Sequence, residues 1–144
     1  MLLILTIFSE RYFFELNQKY QKKEPISSID VDIYINSIYK PENREELEHM
    51  VRRFRSTKLA TTTLESTHHA VCRFYLLNKN YDRLIEILNN RYEYGVFPDV
   101  YCYNILLDNC LENSEIDNAF EVVKLMMLQE FSGNEITKAL SFLT

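Results

Sequence analysis

The stretch Pro98-Asp-Val-Tyr-Cys-Tyr-Asn-Ile-Leu-Leu-Asp-Asn-Cys-Leu-Glu-Asn-Ser-Glu-Ile-Asp-Asn-Ala-Phe-Glu-Val-Val-Lys-Leu-Met-Met127 reads as two helices joined by a short polar turn. Asp99 follows Pro98 and is placed to cap a helix over 100–112. Ile105, Leu106, Cys110 and Leu111 line one side of it. Ser114, with Asp117 three residues on, has the form of a capping box for the next helix. Ile116, Ala119, Phe120, Val123 and Met127 then make an apolar stripe, with Ala119 small where two helices of a hairpin would cross.

The same pattern occurs once before. Shifted by 35 residues, His68 falls on Tyr103, Cys72 on Leu107, Tyr75 on Cys110, Tyr81 on Ile116, Asp82 on Asp117, Leu84 on Ala119, Glu86 on Glu121 and Ile87 on Val122. Two helices per unit at such a period mark a tetratricopeptide-like helical solenoid, in which each hairpin buries its apolar face against its neighbours. Gly95, just past Arg91-Tyr-Glu-Tyr94, suits a left-handed helix end.

Further upstream the chain predicts a helix over 3–23 with Leu5, Phe8, Tyr12 and Leu16 on one face, ended before Pro25. A second helix is predicted from Ser27 or Ser28, as cap, to Tyr39, with Asp30 in its first turn. A third follows Pro41 over 42–56; acids open it, Arg52, Arg53 and Arg55 close it, and Leu47, Met50, Val51 and Phe54 form its stripe. Thr61-Thr-Thr63 reads as a loop. The fold class is therefore all-α, a helical-hairpin solenoid. Residues 1–63 carry N-terminal helices with a degenerate unit at 26–56. Residues 64–144 carry two repeats and, from 135 on, the start of a further helix, so the chain reads as the N-terminal piece of a longer solenoid.

Composition fits. There are two glycines and three prolines in 144 residues, which leaves almost no turn chemistry for β-hairpins. The net charge of −5 lies wholly in residues 100–144, where Lys124 and Lys138 face seven acids. That tail gains nothing at a phosphate backbone, so any nucleic-acid contact belongs to the first two thirds. The apolar start Met1–Phe8 is too short to span a bilayer and lacks the marks of a secretory signal or a mitochondrial presequence.

The residues at 98–127 resemble a pentatricopeptide repeat through Tyr103-Asn104, Leu106, Asp108, Asp117, Ala119 and Met126; residues 68–99 resemble a weaker copy. Pro25-Ile-Ser-Ser28, Arg52-Arg-Phe-Arg-Ser56, Tyr94-Gly-Val-Phe-Pro-Asp99 and Met126-Met-Leu-Gln-Glu130 extend the likeness to the pentatricopeptide family of the mitochondrial ribosomal small subunit, the small-subunit protein twenty-seven family, from about residue 20 onward. That resemblance implies a non-enzymatic scaffold in the mitochondrial matrix whose partners are small-subunit rRNA and neighbouring ribosomal proteins. A sister family of mitochondrial RNA-processing proteins shares the Tyr-Asn-Ile-Leu-Leu-Asp type of helix, and a cytosolic protein-binding scaffold without RNA fits the acidic tail. All three readings stay open at this stage.

Members that read RNA bases do so from an inner-face residue after the Tyr-Asn pair and from the repeat's end. By match these are Ala70 and Asp99 in the first unit, Ile105 and Asn134 in the second. Ala70 and Ile105 cannot hydrogen-bond a base edge, so shape and phosphate contacts remain. Arg52, Arg53, Arg55 and Lys58, with Arg73, Lys79, Arg83 and Arg91, are the expected RNA-binding cations, interleaved with Tyr75, Tyr81, Tyr92 and Tyr94 that serve mainly as packing.

No catalytic constellation, metal or cofactor is expected. His68-His69 lacks the spacing of a zinc hydrolase and occupies the Tyr-Asn positions, which suits packing or capping. Cys72, Cys102 and Cys110 include no Cys-x-x-Cys and read as buried apolar thiols. Gly95 and Gly133 make no phosphate-binding loop.

Overall fold

The computed structural model describes residues 2–128, and among these every regular element is a helix. They are α1 (Leu2–Gln21), α2 (Ser28–Ser37), α3 (Arg44–Arg55), α4 (Glu65–Leu77), α5 (Tyr81–Asn89), the single turn α6 (Arg91–Tyr94), α7 (Val100–Glu112) and α8 (Ile116–Leu128). Short 3-10 turns at Pro41–Asn43 and Ala60–Thr62 lead into α3 and towards α4. No described helix is long and apolar enough to cross a membrane.

Local chemistry sets the boundaries. Ser27 caps α2 by a full capping box: its hydroxyl accepts from the Asp30 amide, and the Asp30 carboxylate accepts from the Ser27 amide. Asp99 caps α7, accepting the Cys102 amide at 3.0 Å. Pro41 spends its turn in the 3-10 segment, so α3 starts at Arg44 rather than 42. The α2 helix stops at Ser37, and Ile38 is already extended.

The 35-residue period is visible in the backbone. α4 starts at residue 65 and α7 at 100; α5 starts at 81 and α8 at 116. α4 ends as the Asn80 amide reaches the Tyr75 carbonyl and the Lys79 amide reaches Leu76, with Lys79 left-handed at φ 53°. α7 ends identically: Glu115 to Cys110, Ser114 to Leu111, Ser114 at φ 59°. Both are Schellman closures. Ser114 is thus the left-handed exit of α7 and not the cap of α8, which corrects the expected capping box.

In the two repeats the helices pack on their hairpin partners and on the corresponding helix of the other hairpin, α4 against α5 and α7, α5 against α8, and α7 against α8; further upstream α2 packs against α3 and α4, while α3 meets α6. One buried cluster runs through them from Leu16 to Met126, with Tyr34, Tyr75 and Tyr103 wholly enclosed. Polar links between hairpins follow the same spacing: Ser66 and Thr67 donate to Asp32, and Asn118 donates to Asp82.

Two expected stripes shift. On α8 the buried residues are Ala119, Val122, Leu125 and Met126, while Ile116, Phe120 and Met127 face out. On α1, Leu16 is buried and Tyr12 half-buried, but Phe8 is largely exposed. Met126 therefore belongs to the core, and Met127 to the surface.

Candidate functional site

The basic residues at 52–58 sit at the end of α3, where α6 and the loop Gly95–Asp99 return over them. Gly95 takes φ 72°, a region that favours glycine, and a Cβ there would lie 2.9 Å from Arg55 Cδ. That close approach lets Arg55 donate from Nε to the Tyr92 carbonyl at 2.9 Å and lay its guanidinium 5.4 Å from the Phe97 ring. Arg52 pairs with Glu93 and lies 5.2 Å from the Tyr94 ring. Arg91 sits 5.1 Å from the ring of Tyr92, which is largely exposed and packs edge-on against Phe97.

Folding thus joins Arg52, Arg55, Arg91, Tyr92 and Phe97 into one cationic-aromatic patch, although 36 residues separate Arg55 from Arg91. Guanidinium groups over ring faces are attracted to them, by about 0.5–1 kcal/mol each at exposed sites. Lys58 is exposed on the segment after α3. Arg53 turns inward: it lies 4.4 Å from the Tyr20 ring centroid and donates from Nη1 to Asn17, while its Nε and Nη2 are buried and have no hydrogen-bond partner among the described residues. Burial lowers its pKa, with Tyr20 opposing the shift. Its charge is therefore less available to an external phosphate than that of its neighbours.

The remaining cations lie elsewhere. Arg83 is bound within the fold: Nε and Nη2 donate to Glu48 at 2.7 and 2.9 Å, Nη1 to Glu86 at 2.7 Å, and Nη2 also to the Tyr94 hydroxyl. Tyr75 donates to the same Glu48 carboxylate at 2.7 Å. Burial opposes ionisation of Glu48, but hydrogen bonds from Arg83 and Tyr75 outweigh it and hold the carboxyl below its ordinary value. Lys79 borders a groove with Glu42, Arg44 and Glu45, so it adds little net positive field there. Arg73 donates to Asn36 and borders the cleft between α4 and α7. Of the four tyrosines among these cations, Tyr75, Tyr81 and Tyr94 are buried and only Tyr92 offers a ring to solvent.

The inner-face positions are equally specific. Ala70 is buried. Ile105 lines the α4–α7 cleft with His69, Cys72, Arg73, Tyr101 and Cys102. Asp99 divides its carboxylate between the Cys102 amide and His69 Nε2, at 3.0 and 3.2 Å. Asn134, and the helix expected from 135, lie outside the described residues. His68 is turned to packing and capping: its Nδ1 accepts the Phe97 amide at 3.1 Å, and burial, aided by the neighbouring His69, lowers its pKa. An acceptor Nδ1 in an apolar wall calls for the neutral ring.

The interleaving of charge with aromatics at 91–97 was the signal for the patch; its joining to α3 was not in the sequence. A second convergence was missed altogether. His69 on α4 and Asp99 and Cys102 at the start of α7 bring their ligand atoms within 4.8 Å of one another, with Cys72 on the wall of the same cleft, and only a search for i, i+3 pairs of mixed ligands would have found them.

A model of the family described as mitochondrial 28S ribosomal protein S27 matches residues 10–144.

Proposed function

The chain belongs to the mitochondrial 28S ribosomal protein S27 family, and from that premise we propose that it is a structural, non-enzymatic component of the mitochondrial small ribosomal subunit, working in the matrix. In this reading residues 1–63 provide N-terminal helices with a degenerate unit, and residues 64–144 provide pentatricopeptide-type repeats of a helical solenoid. The backbone period supports this: helix pairs open at residues 28 and 44, 65 and 81, and 100 and 116. The scaffold contacts small-subunit rRNA by charge and shape, and neighbouring ribosomal proteins by its helical faces.

The observation that carries the RNA contact is the patch of Arg55, Arg91 and exposed Tyr92, extended by Lys58 and braced by the Arg52–Glu93 pair. Among the described residues Arg55, Lys58 and Arg91 have no carboxylate within ion-pair distance, so their charge is available to phosphate. Base-specific reading is not part of the proposal, because Ala70 and Ile105 offer no hydrogen bond and Asp99 is already engaged.

The test spares the braces. Lys58→Glu with Arg91→Glu reverses two charges while leaving the Arg52–Glu93 and Arg55–Tyr92 contacts in place. Tagged protein in mitochondrial lysate, at magnesium levels that keep the subunits apart, is expected to sediment with the small subunit, and the double variant to shift towards the top of the gradient with unchanged circular dichroism. Co-sedimentation of the variant at wild-type level overturns the placement of the contact. Migration of the wild type as light, RNase-sensitive material overturns the ribosomal reading in favour of a free RNA-processing factor. Absence from mitochondria removes both and leaves a protein-binding scaffold.

A further inference from the structure

We propose that His69, Cys72, Asp99 and Cys102 form a site for a divalent cation of the zinc class, clamping the α4 hairpin to the α7 hairpin. The site stands independently of the ribosomal reading.

Its geometry comes from two i, i+3 pairs. On α4, positions 69 and 72 share a face towards α7. At the start of α7, Asp99 is the cap and Cys102 lies three residues on, above the same turn. The ligand atoms of His69, Asp99 and Cys102 all lie within 4.8 Å of one another. Cys72 borders the same cleft as His69 and Cys102, which brings a fourth candidate donor beside the group. His69 Nε2 and Asp99 Oδ2 are 3.2 Å apart. Bonds of about 2.0–2.1 Å to a tetrahedral zinc would place two such atoms about 3.3–3.4 Å apart, so that edge needs almost no movement. The edges from Cys102 Sγ, each within 4.8 Å, need contraction of at most about 1.2 Å to reach tetrahedral spacing, and Cys72 must swing in from the wall of the same cleft.

The donor set selects the ion. One imidazole nitrogen, two thiols and one carboxylate oxygen are the N, S and O ligands that zinc takes in four-coordinate sites, and the two sulfurs exclude magnesium and calcium, which take oxygen. Asp99 ligates through Oδ2 alone, because Oδ1 holds the Cys102 amide. That bond fixes the carboxylate rotamer, the kind of outer support metal ligands receive.

Charge balance is explicit. Both thiols release a proton to solvent as the Zn–S bonds form; imidazole binds neutral and the carboxylate already ionised. The assembled centre has a net charge of −1, and Arg73 borders the same cleft, where it can offset that charge. Cys72 is buried. The cation reaches the group through the open cleft between α4 and α7, bounded by Leu76, Leu77, Tyr101 and Ile105. Cys110 is buried elsewhere and takes no part.

Cobalt(II) titration of the full chain under reducing, chelator-free conditions tests this. The expected result is one equivalent bound, with a near-ultraviolet sulfur-to-cobalt charge-transfer band, intense visible d–d bands of tetrahedral cobalt, and displacement of both by zinc. Cys72→Ser with Cys102→Ser should abolish the charge-transfer band; His69→Gln should weaken binding at least tenfold. Cys110→Ser should leave the spectrum unchanged. Since serine in a buried site can loosen the fold, circular dichroism accompanies each variant, and His69→Gln, at a half-exposed position, gives the arm least exposed to that problem. A folded wild-type chain that develops no sulfur-to-cobalt band, or a band that survives the double cysteine substitution, overturns the proposal. So does full-strength binding by His69→Gln.

Discussion

The α4–α5 and α7–α8 units share one backbone and are held by different chemistry. Their helices start 35 residues apart in strict register, and their first helices end in the same closure at Lys79 and Ser114. Matched positions nevertheless diverge. Leu84 is replaced by Ala119, Arg83 by Asn118 and Tyr75 by Cys110. In the first unit Arg83 and Tyr75 converge on Glu48 and bolt the hairpin to α3. In the second unit Asn118 makes neutral-to-carboxylate contacts with Asp82 and Glu115 at the surface, and Cys110 simply fills space. A repeat period thus transmits helix length, turn geometry and apolar placement, while the polar connections are particular to each junction.

The comparison can be broken most strongly at its apolar centre. Leu84 is fully enclosed, so Leu84→Ala should lower stability by roughly 2–5 kcal/mol, through lost burial and the cavity left behind. The reciprocal change, Ala119→Leu, adds volume to an equally enclosed position and should cost about 1–3 kcal/mol by overpacking. Urea denaturation of both reads the asymmetry. Equal small effects would mean that the two crossings are loosely packed and interchangeable.

Next comes the polar bolt. Glu48→Gln removes the charge facing Arg83 and should cost on the order of 3 kcal/mol, less than for a pair wholly sealed from water because Arg83 retains some solvent contact. The pH dependence separates it from a packing defect. The folded-state pKa of Glu48 lies below its ordinary 4.5, so its contribution is complete above that value and is lost as pH falls through the lower folded value. Wild-type protein should therefore lose stability on acidification faster than Glu48→Gln. Parallel melting-temperature curves for the two would reject the assignment.

The smallest effect concerns what the units share. Lys79 and Ser114 hold left-handed backbone that side chains rarely adopt. Lys79→Gly and Ser114→Gly should each stabilise by roughly 1 kcal/mol, additively, since the closures are separate. Opposite signs at the two sites would show that the closures are not equivalent.

Much of this architecture was legible in the chain. The bounds 100–112 for α7, the Ser27 and Asp99 caps, the left-handed Gly95 and the apolar face of α3 all follow from local rules, because caps, turns and helical periodicity act over a few residues. The face of α8 did not follow. Ile-Asp-Asn-Ala-Phe-Glu-Val-Val-Lys-Leu-Met-Met-Leu carries more apolar residues than one stripe needs, so two rotations satisfy the periodicity. Contacts with α5 and α7 select the one that buries Val122, Leu125 and Met126. The role of Ser114 was misread for a related reason: a serine before an acid suits a helix start, but the closure of α7 claimed it first.

The candidate site divides along the same line. The cations were legible as cations; which of them stay available was not. Arg83 is consumed by Glu48, Arg53 by Tyr20 and burial, and Arg52 by Glu93, while Arg55, Arg91 and Tyr92 converge because Gly95 lets α6 fold back on α3. By itself, the sequence determined an all-helical chain, its 35-residue period and the residue types at each cap, since those depend on backbone and near-neighbour energetics. Only the tertiary structure decided which charges cancel, which helix faces are buried, and that His69, Asp99 and Cys102 meet, because those outcomes depend on distances between segments about 30 residues apart that only stacking the hairpins fixes.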